Sequence, residues 1–315
     1  MVTYLVRRAG VSVVVVAGIS VLMFGMLHFI FPSPAIVVLG ARASLVTVNV
    51  WNQQHGFNEP WLLQYWHYLV GALHGNLGFS YKANQTVTSL FAERWQLSAF
   101  LTGASLTLAI LIAVPLGIYQ AVRRNKVDDQ IVSSVAFTLY AMPDYLFYLI
   151  VIQVFAFWLP VFNYEAAQAS TLWGIISDPR DMTLPIVAFA LLLVAGYSRY
   201  MRSEAIDTLA QDYIKAARAK GLPERLVLLR HLVRNACLPM ITLVGLSIPA
   251  LLAGNLIAEY TFNYQGLGLL FYDSLLNEDY QVLMAYTLLG GILTVAGNFL
   301  ADIALTVADP RIRLS

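Results

Sequence analysis

The sequence predicts an all-α membrane protein with six transmembrane helices, on three observations. Of its 315 residues, 59% are hydrophobic and only 12% are charged, which is about half the charged fraction of a soluble domain. The mean hydropathy is +0.67. Six apolar runs are each long enough for one helix to cross a bilayer, which takes about 20 residues. They span residues 9–31, 97–122, 131–159, 184–200, 238–258 and 285–307.

The first run is expected to stay in the mature protein. It follows Arg7 and Arg8, as the apolar region of a signal peptide would, but it is longer than the roughly 7–15 residues of such a region. The sequence PSP at 32–34 is not a small-residue cleavage site. Because no internal repeat or low-complexity linker divides the chain, we predict a single transmembrane domain over residues 1–315.

The distribution of basic residues predicts the orientation of the helices. Segments on one side of the predicted spans hold 15 of the 19 Lys and Arg residues, and segments on the other side hold 4. Cytoplasmic loops carry the excess of Lys and Arg. Both termini and segment 201–237 are therefore predicted to be cytoplasmic, and segment 32–96 extracytoplasmic. The net charge of +1 gives no case for nucleic-acid binding, which takes a basic patch.

The sequence lacks the motifs that bond chemistry or nucleotide binding would need. Cys237 is the only cysteine, which excludes an intrachain disulfide and a cysteine-based zinc site. The five histidines are scattered, and neither an H-E-x-x-H motif nor a phosphate-binding loop is present. We therefore predict no catalytic residue, no metal site and no cofactor in this chain. Any ATP on which it depends is expected to be bound by another protein.

The extracytoplasmic segment 32–96 is predicted to contain an amphipathic helix that begins after Pro60 and stops near Gly75. Apolar and aromatic residues recur there at three- and four-residue steps, the spacing of one helix face. They are Trp61, Leu62, Tyr65, Trp66, Leu69, Ala72 and Leu73. Two interpretations stay open: a helix that anchors the domain at the membrane interface, where Trp and Tyr are favoured, or a platform for an external partner.

The cytoplasmic segment 201–237 predicts a helix, a turn and a second helix. Gly221 suits the position just after a helix, and Pro223 can open the next one. Each helix has an apolar stripe. The stripes are predicted to be Ile206, Leu209, Tyr213 and Ala217, and Leu226, Leu229, Leu232, Val233 and Ala236. Two short helices cannot bury these stripes alone, so we predict an element that docks on the membrane helices or in the groove of a soluble partner. The alternative is a basic loop without such order.

Several motifs resemble those of ABC importer permeases, in their peptide/nickel branch. The most specific are DYIKAARAKG at 212–221 and RHLVRNACLP at 230–239, which together resemble the EAA loop of these permeases. Further matches occur in the order of the branch over nearly the whole chain. They are EPWLLQY at 59–65, GNLGFS at 75–80, EYTFNYQGLG at 259–268 and DPRIRL at 309–314. Lys215 replaces a family glutamate, and Asp144 stands where the family usually has a small or aromatic residue.

The resemblance implies the type I importer permease fold and the role of membrane subunit in an ATP-driven importer. Such a subunit pairs with a second, homologous permease. Two ATPase subunits bind ATP and Mg²⁺ on the cytoplasmic side, and an extracytoplasmic binding protein docks on the other. Di- or oligopeptides are the implied cargo, and the bacterial plasma membrane is the implied location. Nickel, glutathione or another small solute stays open as cargo, as does a self-contained channel or secondary carrier.

The resemblance also implies that part of the cytoplasmic loop is a coupling helix that contacts an ATPase. Its residues are Asp212, Tyr213, Lys215, Ala216, Ala217, Arg218, Ala219, Lys220, Gly221, Leu222, Pro223 and Glu224. Polar groups at membrane depth usually face the bundle interior or a wet cavity. A second set of residues, at or near the predicted spans, is therefore a set of candidates for the translocation path or its gate. They are Pro143, Asp144, Glu259, Asn298 and Asp302. For these, packing between helices is the alternative.

Overall fold

The chain folds into helices and one short hairpin, in a computed structural model. The structure describes residues 2–30, 33–40, 42–169, 171–247 and 254–308. Within these ranges, side chains are described for residues 10 to 300. The hairpin pairs β1 (Phe79–Ser80) with β2 (Gln85–Thr86). The helices are α1 (Val2–Ile30), α2 (Pro34–Leu39), α3 (Leu45–Gln54), α4 (Trp61–Leu73), α5 (Val87–Val122), α6 (Val127–Ala141), α7 (Asp144–Trp158), α8 (Leu172–Ile176), α9 (Pro179–Leu209), α10 (Asp212–Ala219), α11 (Glu224–Ala236), α12 (Leu238–Leu246), α13 (Leu256–Thr261), α14 (Leu267–Leu276) and α15 (Tyr280–Ala308).

Four of these helices are long and apolar enough to cross a membrane without a break. They are α1, α5, α9 and α15. Two more candidates are bent pairs: α6 and α7 meet at 107°, and α11 and α12 meet at 42°. The described part of the chain thus has up to six spans, and the predicted all-α membrane fold is confirmed. Below, the α10 end of the bundle is the end at which α10 and α11 lie, and the α4 end is the opposite one.

Two of the helices extend well beyond the apolar runs that predicted them. Helix α5 begins at Val87 rather than at 97, because the side chain of Thr86 caps it by accepting a hydrogen bond from the Ser89 N–H. Helix α9 continues to Leu209 rather than ending at 200. Residues 87–96 and 201–209, predicted to belong to the two large excursions, are therefore parts of long helices. Hydropathy finds the membrane-crossing portion of a helix but not the helix end.

The third apolar run, 131–159, is two helices rather than one kinked helix. Helix α6 ends at Ala141 and α7 begins at Asp144. Met142, which precedes Pro143, has an extended backbone with φ −79° and ψ 138°. A proline disfavours the helical conformation in the residue before it, so the chain turns here by 107°. Asp144, expected near the middle of a helix, is instead the exposed first residue of α7.

The fifth apolar run, 238–258, also contains more than one helix. Helix α12 ends at Leu246, and residues 248–253 lie outside the described part of the chain. A new helix, α13, begins at Leu256, where the Asn255 side chain accepts a hydrogen bond from the Ala258 N–H. An asparagine at this position is a strong signal for a helix start. The apolar composition of the run hides that signal.

Among the described helices, α5 and α9 make the most extensive contact. A stripe of small residues at four-residue steps on α5 is buried, and it consists of Ser105, Ala109, Ala113, Gly117 and Ala121. Small residues at this spacing let two helix backbones approach closely inside a membrane. A Cβ atom added at Gly117 would lie 2.7 Å from both the Cβ of Met201 and the carbonyl oxygen of Ser198.

Replacing Gly117 with alanine is expected to lower the stability of the α5–α9 pair, because the new methyl group has no room against the α9 backbone. Overpacking of this kind costs about 1–3 kcal/mol. The matched control is Gly290→Ala in α15, where an added Cβ meets no atom within 4 Å. Thermal unfolding of the detergent-solubilised protein measures both variants. Equal melting temperatures for the two would contradict the close contact.

Helix α4 lies beside the half of α1 that is nearer the C-terminus of α1. Tyr65 shares a 2.7 Å hydrogen bond with Ser20, which is within the apolar span of α1, and Trp61 contacts Phe29 with ring centroids 6.4 Å apart. The opposite face of α4 is apolar and exposed, at Leu62, Trp66 and Leu73. Because that face borders the lipid-facing surface of α1, the placement favours the interfacial interpretation of this helix.

Candidate functional site

The α10 helix ends in a closed turn rather than a flexible joint. Gly221 has a φ of +75°, and its N–H donates to the carbonyl of Arg218 at 2.9 Å. The Leu222 N–H reaches the carbonyl of Ala217 at 3.4 Å, and the side chain of Leu222 packs beside Ala217. These two bonds and the apolar contact are those of the Schellman motif, which a left-handed glycine completes.

An ion pair bridges this turn from helix to helix. Arg218 donates two hydrogen bonds to Glu224, from Nη2 to Oε1 at 2.6 Å and from Nε to Oε2 at 3.1 Å. The hydrogen bond that Arg218 donates to the Glu224 carboxylate raises the pKa of the guanidinium. Two parallel bonds between planar groups hold a fixed geometry. The corner between α10 and α11 is therefore rigid, and α10 is built to move together with α11.

The buried face of α10 differs from the predicted stripe by one residue. Ile214 is fully buried and Ala217 is 5% exposed, and both pack on Val227 of α11. Tyr213, predicted to be in the stripe, is 43% exposed. The stripe was drawn as if residues 206–217 were one helix, but α9 ends at Leu209 and α10 starts a new helical phase after that break.

Helix α11 is also out of phase with its predicted stripe. Its middle part, Val227–Leu232, is a π-helix, which has more residues per turn than an α-helix. As a result Val227 and Leu232 are buried, whereas Leu229, predicted to be inside, is 60% exposed. A hydrophobic stripe drawn at the α-helical period cannot foresee this shift.

Helix α11 connects the α10 element to the central pair of membrane helices. Leu232 and Ala236 pack in one cluster with Ala121 of α5 and with Met201 and Ala205 of α9. All five side chains are buried. A displacement of α11 would therefore push directly on the ends of α5 and α9, because close-packed side chains transmit strain.

The side of α10 that points away from this packing is exposed. Its residues are Asp212, Lys215, Ala216 and Ala219, called here the free face of α10. Lys215 and Asp212 form an exposed ion pair at 2.9 Å, which contributes little to stability. Ala216 and Ala219 leave a shallow surface between charged neighbours. A small, mixed surface on a rigidly held helix is suited to lie in a groove of a soluble protein.

An ion pair with a buried carboxylate, which the sequence did not predict, joins α6 to α9 near the same end. Asp129 is 2% exposed and accepts two hydrogen bonds from Arg202, at 2.7 and 2.8 Å. Asp129 also accepts the N–H of Asn125 at 2.9 Å. The sequence alone shows Arg202 only as one of the many basic residues that predict the cytoplasmic side. The pairing depends on a contact across 73 residues, which no local pattern reveals.

The candidate path residues lie on three separate elements. Pro143 and Asp144 are at the bend between α6 and α7, Glu259 is in α13, and Asn298 is partly buried on α15. The side chain of Asp302 lies outside the described residues. The described candidates therefore do not come from one helix or one segment of the chain.

Glu259 occupies a fully enclosed site made by backbone and side-chain donors. One carboxylate oxygen accepts the N–H groups of Gly268 at 2.7 Å and Leu269 at 3.1 Å, in the first turn of α14. The other accepts the Ser98 hydroxyl at 2.7 Å and the Asn255 N–H at 3.3 Å. A carboxylate at a helix N-terminus satisfies N–H groups that have no partner within the helix. Glu259 therefore joins α13, α14 and α5.

The fold and this site together define a class of protein: a multi-pass membrane protein with an ordered two-helix element at one end of its bundle. A sequence profile described as "Binding-protein-dependent transport system inner membrane component" matches residues 113–314. Its N-terminal counterpart, "Binding-prot-dependent transport system membrane comp, N-term", matches residues 1–102.

Similar proteins match the chain from end to end. The oligopeptide transport system permease protein AppB of Bacillus subtilis (strain 168) is 34% identical, over 99% of each chain. The glutathione transport system permease protein GsiC is 31% identical in Escherichia coli O6:H1 and 30% identical in Escherichia coli K12, over the same share. The chain belongs to the family of binding-protein-dependent transport system inner membrane components. Its resemblance to the peptide/nickel branch of ABC importer permeases is confirmed.

Proposed function

We propose that this chain forms half of the translocation path of an ATP-driven importer of di- or oligopeptides. The name of the 34% identical AppB, an oligopeptide permease, supports this cargo class. Glutathione, itself a peptide-like solute, is the second candidate, because GsiC is 31% identical over nearly the whole chain. Uptake of labelled tripeptide, glutathione and nickel by cells with and without the chain distinguishes these cargoes.

The proposal is supported most directly by the position of the α10–α11 element between the membrane helices and the exterior. One side of the element is packed on the ends of α5 and α9, and the other side, the free face of α10, is exposed. When an ATPase that holds the free face changes shape, the rigid corner moves α11 and so the two central helices. This is a coupling between two states through contacts that differ between them.

The partners follow from the same scheme. A second, homologous permease completes the path, two ATPase subunits bind ATP and Mg²⁺, and one binding protein delivers cargo at the α4 end. The α10 end and both termini then lie in the cytoplasm of a bacterium, as the excess of basic residues predicts. The chain itself catalyses no bond chemistry and binds no cofactor.

Pro143 and Asp144, at the α6–α7 bend where Asp144 is exposed, are proposed to line the path. Asn298 and Asp302 are proposed to act from α15. Glu259 is proposed to position the elements around the gate rather than to touch cargo, since its four hydrogen-bond donors enclose it.

Substituting Gly221 tests the rigid corner. Valine at this position must adopt a φ of +75°, which costs about 1–2 kcal/mol for a residue with a side chain. No other atom lies within 4 Å of an added Cβ, so the effect is on the backbone alone. Gly221→Val is expected to reduce ATP-driven uptake several-fold.

The control for that variant is Gly221→Asn, because asparagine tolerates the left-handed conformation better than other residues. It is expected to keep most of the uptake. Both variants should insert in the membrane at the wild-type level. Wild-type uptake by Gly221→Val, with normal insertion, would contradict the role of the corner.

A further inference from the structure

A groove of about 790 Å³ lies between α6 and α9. Its lining is mixed: the hydroxyl residues Ser133, Ser134, Thr138 and Ser203, the cations Arg199 and Arg202, and the rings of Phe137, Tyr140 and Tyr200. Neither the predicted path residues nor the coupling element contributes to it. The volume is in the range of sites that hold small molecules.

Arg199 is the unpaired cation of this groove. In the described part of the chain no carboxylate pairs with it, whereas its neighbour Arg202 is held by two hydrogen bonds to Asp129. The guanidinium of Arg199 lies over the rings of Phe137 and Tyr140, at 5.4 and 4.8 Å from their centroids. Stacking on aromatic rings fixes the guanidinium plane and leaves its N–H edge available.

The position of the groove indicates a hydrated ligand rather than lipid. Arg199 lies one turn of α9 beyond Arg202, on the way into the membrane. Its guanidinium lies over Phe137 and Tyr140 and is therefore at about the level of Thr138, nine residues after Asp129, or about 13 Å at the rise of an α-helix. Polar groups at such depth usually face a wet cavity.

We propose that Arg199 binds the carboxylate of the cargo in this groove, at the end of the translocation path near α10. The inference rests on the proposed function and names the chemistry that the site recognises. A guanidinium edge matches a carboxylate through two parallel hydrogen bonds. The Ser134 hydroxyl can donate to or accept from an amide group of a short peptide. The Thr138 hydroxyl, which donates to the Ser134 carbonyl at 2.9 Å, can still accept an amide N–H.

Protection of a cysteine in the groove from labelling tests this site without relying on transport. The reporter is Ser203→Cys, at an exposed position in the lining of the groove, in a Cys237→Ser background. The protein is the complex of both permeases and the ATPases, and the label is N-ethylmaleimide. N-acetyl-trialanine and N-acetyl-trialanine amide differ only in the terminal carboxylate. We expect the acid to protect the cysteine at millimolar concentration and the amide to leave it reactive.

Substitution of Arg199 completes the test. Arg199→Gln should weaken protection by the acid about tenfold, the effect of losing a hydrogen bond to a charged group. Arg199→Lys should be intermediate, because it keeps the charge but loses the planar edge. The control Arg230→Gln removes an exposed charge on α11 and should change nothing.

Three results would overturn the proposal. The first is equal protection by the acid and the amide, and the second is protection by the acid that is undiminished in Arg199→Gln. The third is protection by vesicles that contain phosphatidylglycerol, when added acid does not displace the lipid from the groove. The first result needs no substitution at Arg199, so it stands even if that variant misfolds. A separate finding, that the assembled wild-type complex takes up no peptide with ATP, would overturn the proposed function instead.

Discussion

Replacing Ala216 with glutamate should abolish most ATP-driven uptake while leaving the protein folded. Ala216 is on the free face of α10 and is exposed, so the substitution disturbs no internal packing. When the face lies against an ATPase, however, the new charge is buried without a partner. An unpaired buried charge costs about 3–5 kcal/mol, so uptake is expected to fall by about tenfold or more. Transport in membrane vesicles, normalised to the amount of inserted protein, measures the effect.

Two further substitutions control for the added charge. Ala216→Ser keeps the site small and neutral and should retain uptake. Gln130→Glu adds the same charge at an exposed position in the first turn of α6, outside the free face of α10, and should also retain uptake. Ala217→Glu is a different case, because Ala217 is 5% exposed and its loss would disrupt the α10–α11 packing itself. Normal uptake by Ala216→Glu would remove the free face from the coupling mechanism.

Replacing Glu259 with glutamine is expected to produce the largest loss of stability. Both carboxylate oxygens accept two hydrogen bonds, and an amide has only one oxygen. In either orientation its NH₂ group faces two donors, which lose their acceptor. Leaving buried donors unsatisfied costs about 1–3 kcal/mol each. The melting temperature of the solubilised protein should therefore fall by several degrees at least.

The matched control is Glu93→Gln on the exposed surface of α5, whose melting temperature should equal that of the wild type. Cargo selectivity separates the structural role of Glu259 from a role in the path. A positioning residue lowers uptake of every peptide alike, whereas a path residue changes the ratio between acidic and basic peptides. A Glu259→Gln protein with wild-type melting and altered selectivity would show that the carboxylate contacts cargo.

Local sequence signals predicted the elements whose causes are local. Pro60 and Gly75 bracket α4 within two residues, and Gly221 ends α10 in the left-handed turn that only glycine adopts readily. The length of the apolar runs predicted the number of candidate spans. Motif resemblance identified the family, because several matched segments occurred in one order along the chain.

Features that depend on helix phase or on distant contacts were not accessible from the sequence. The break between α9 and α10 and the π-helix in α11 each shifted the buried face, so Ile214 was missed and Leu229 was wrongly placed inside. The Asp129–Arg202 pair and the carboxylate site of Glu259 join residues far apart in the chain. Such contacts form only when the helices pack together, so the residue pattern of a single segment does not predict them.

The most direct measurement is peptide uptake by proteoliposomes that contain either this chain alone or the assembled transporter. Binding protein loaded with labelled tripeptide is added outside, and ATP is enclosed. We expect no uptake by the chain alone, and uptake that depends on ATP hydrolysis once the second permease and the ATPases are present. Transport of the peptide by the chain alone, with no nucleotide-hydrolysing partner, would contradict a subunit that moves only when α10 is driven.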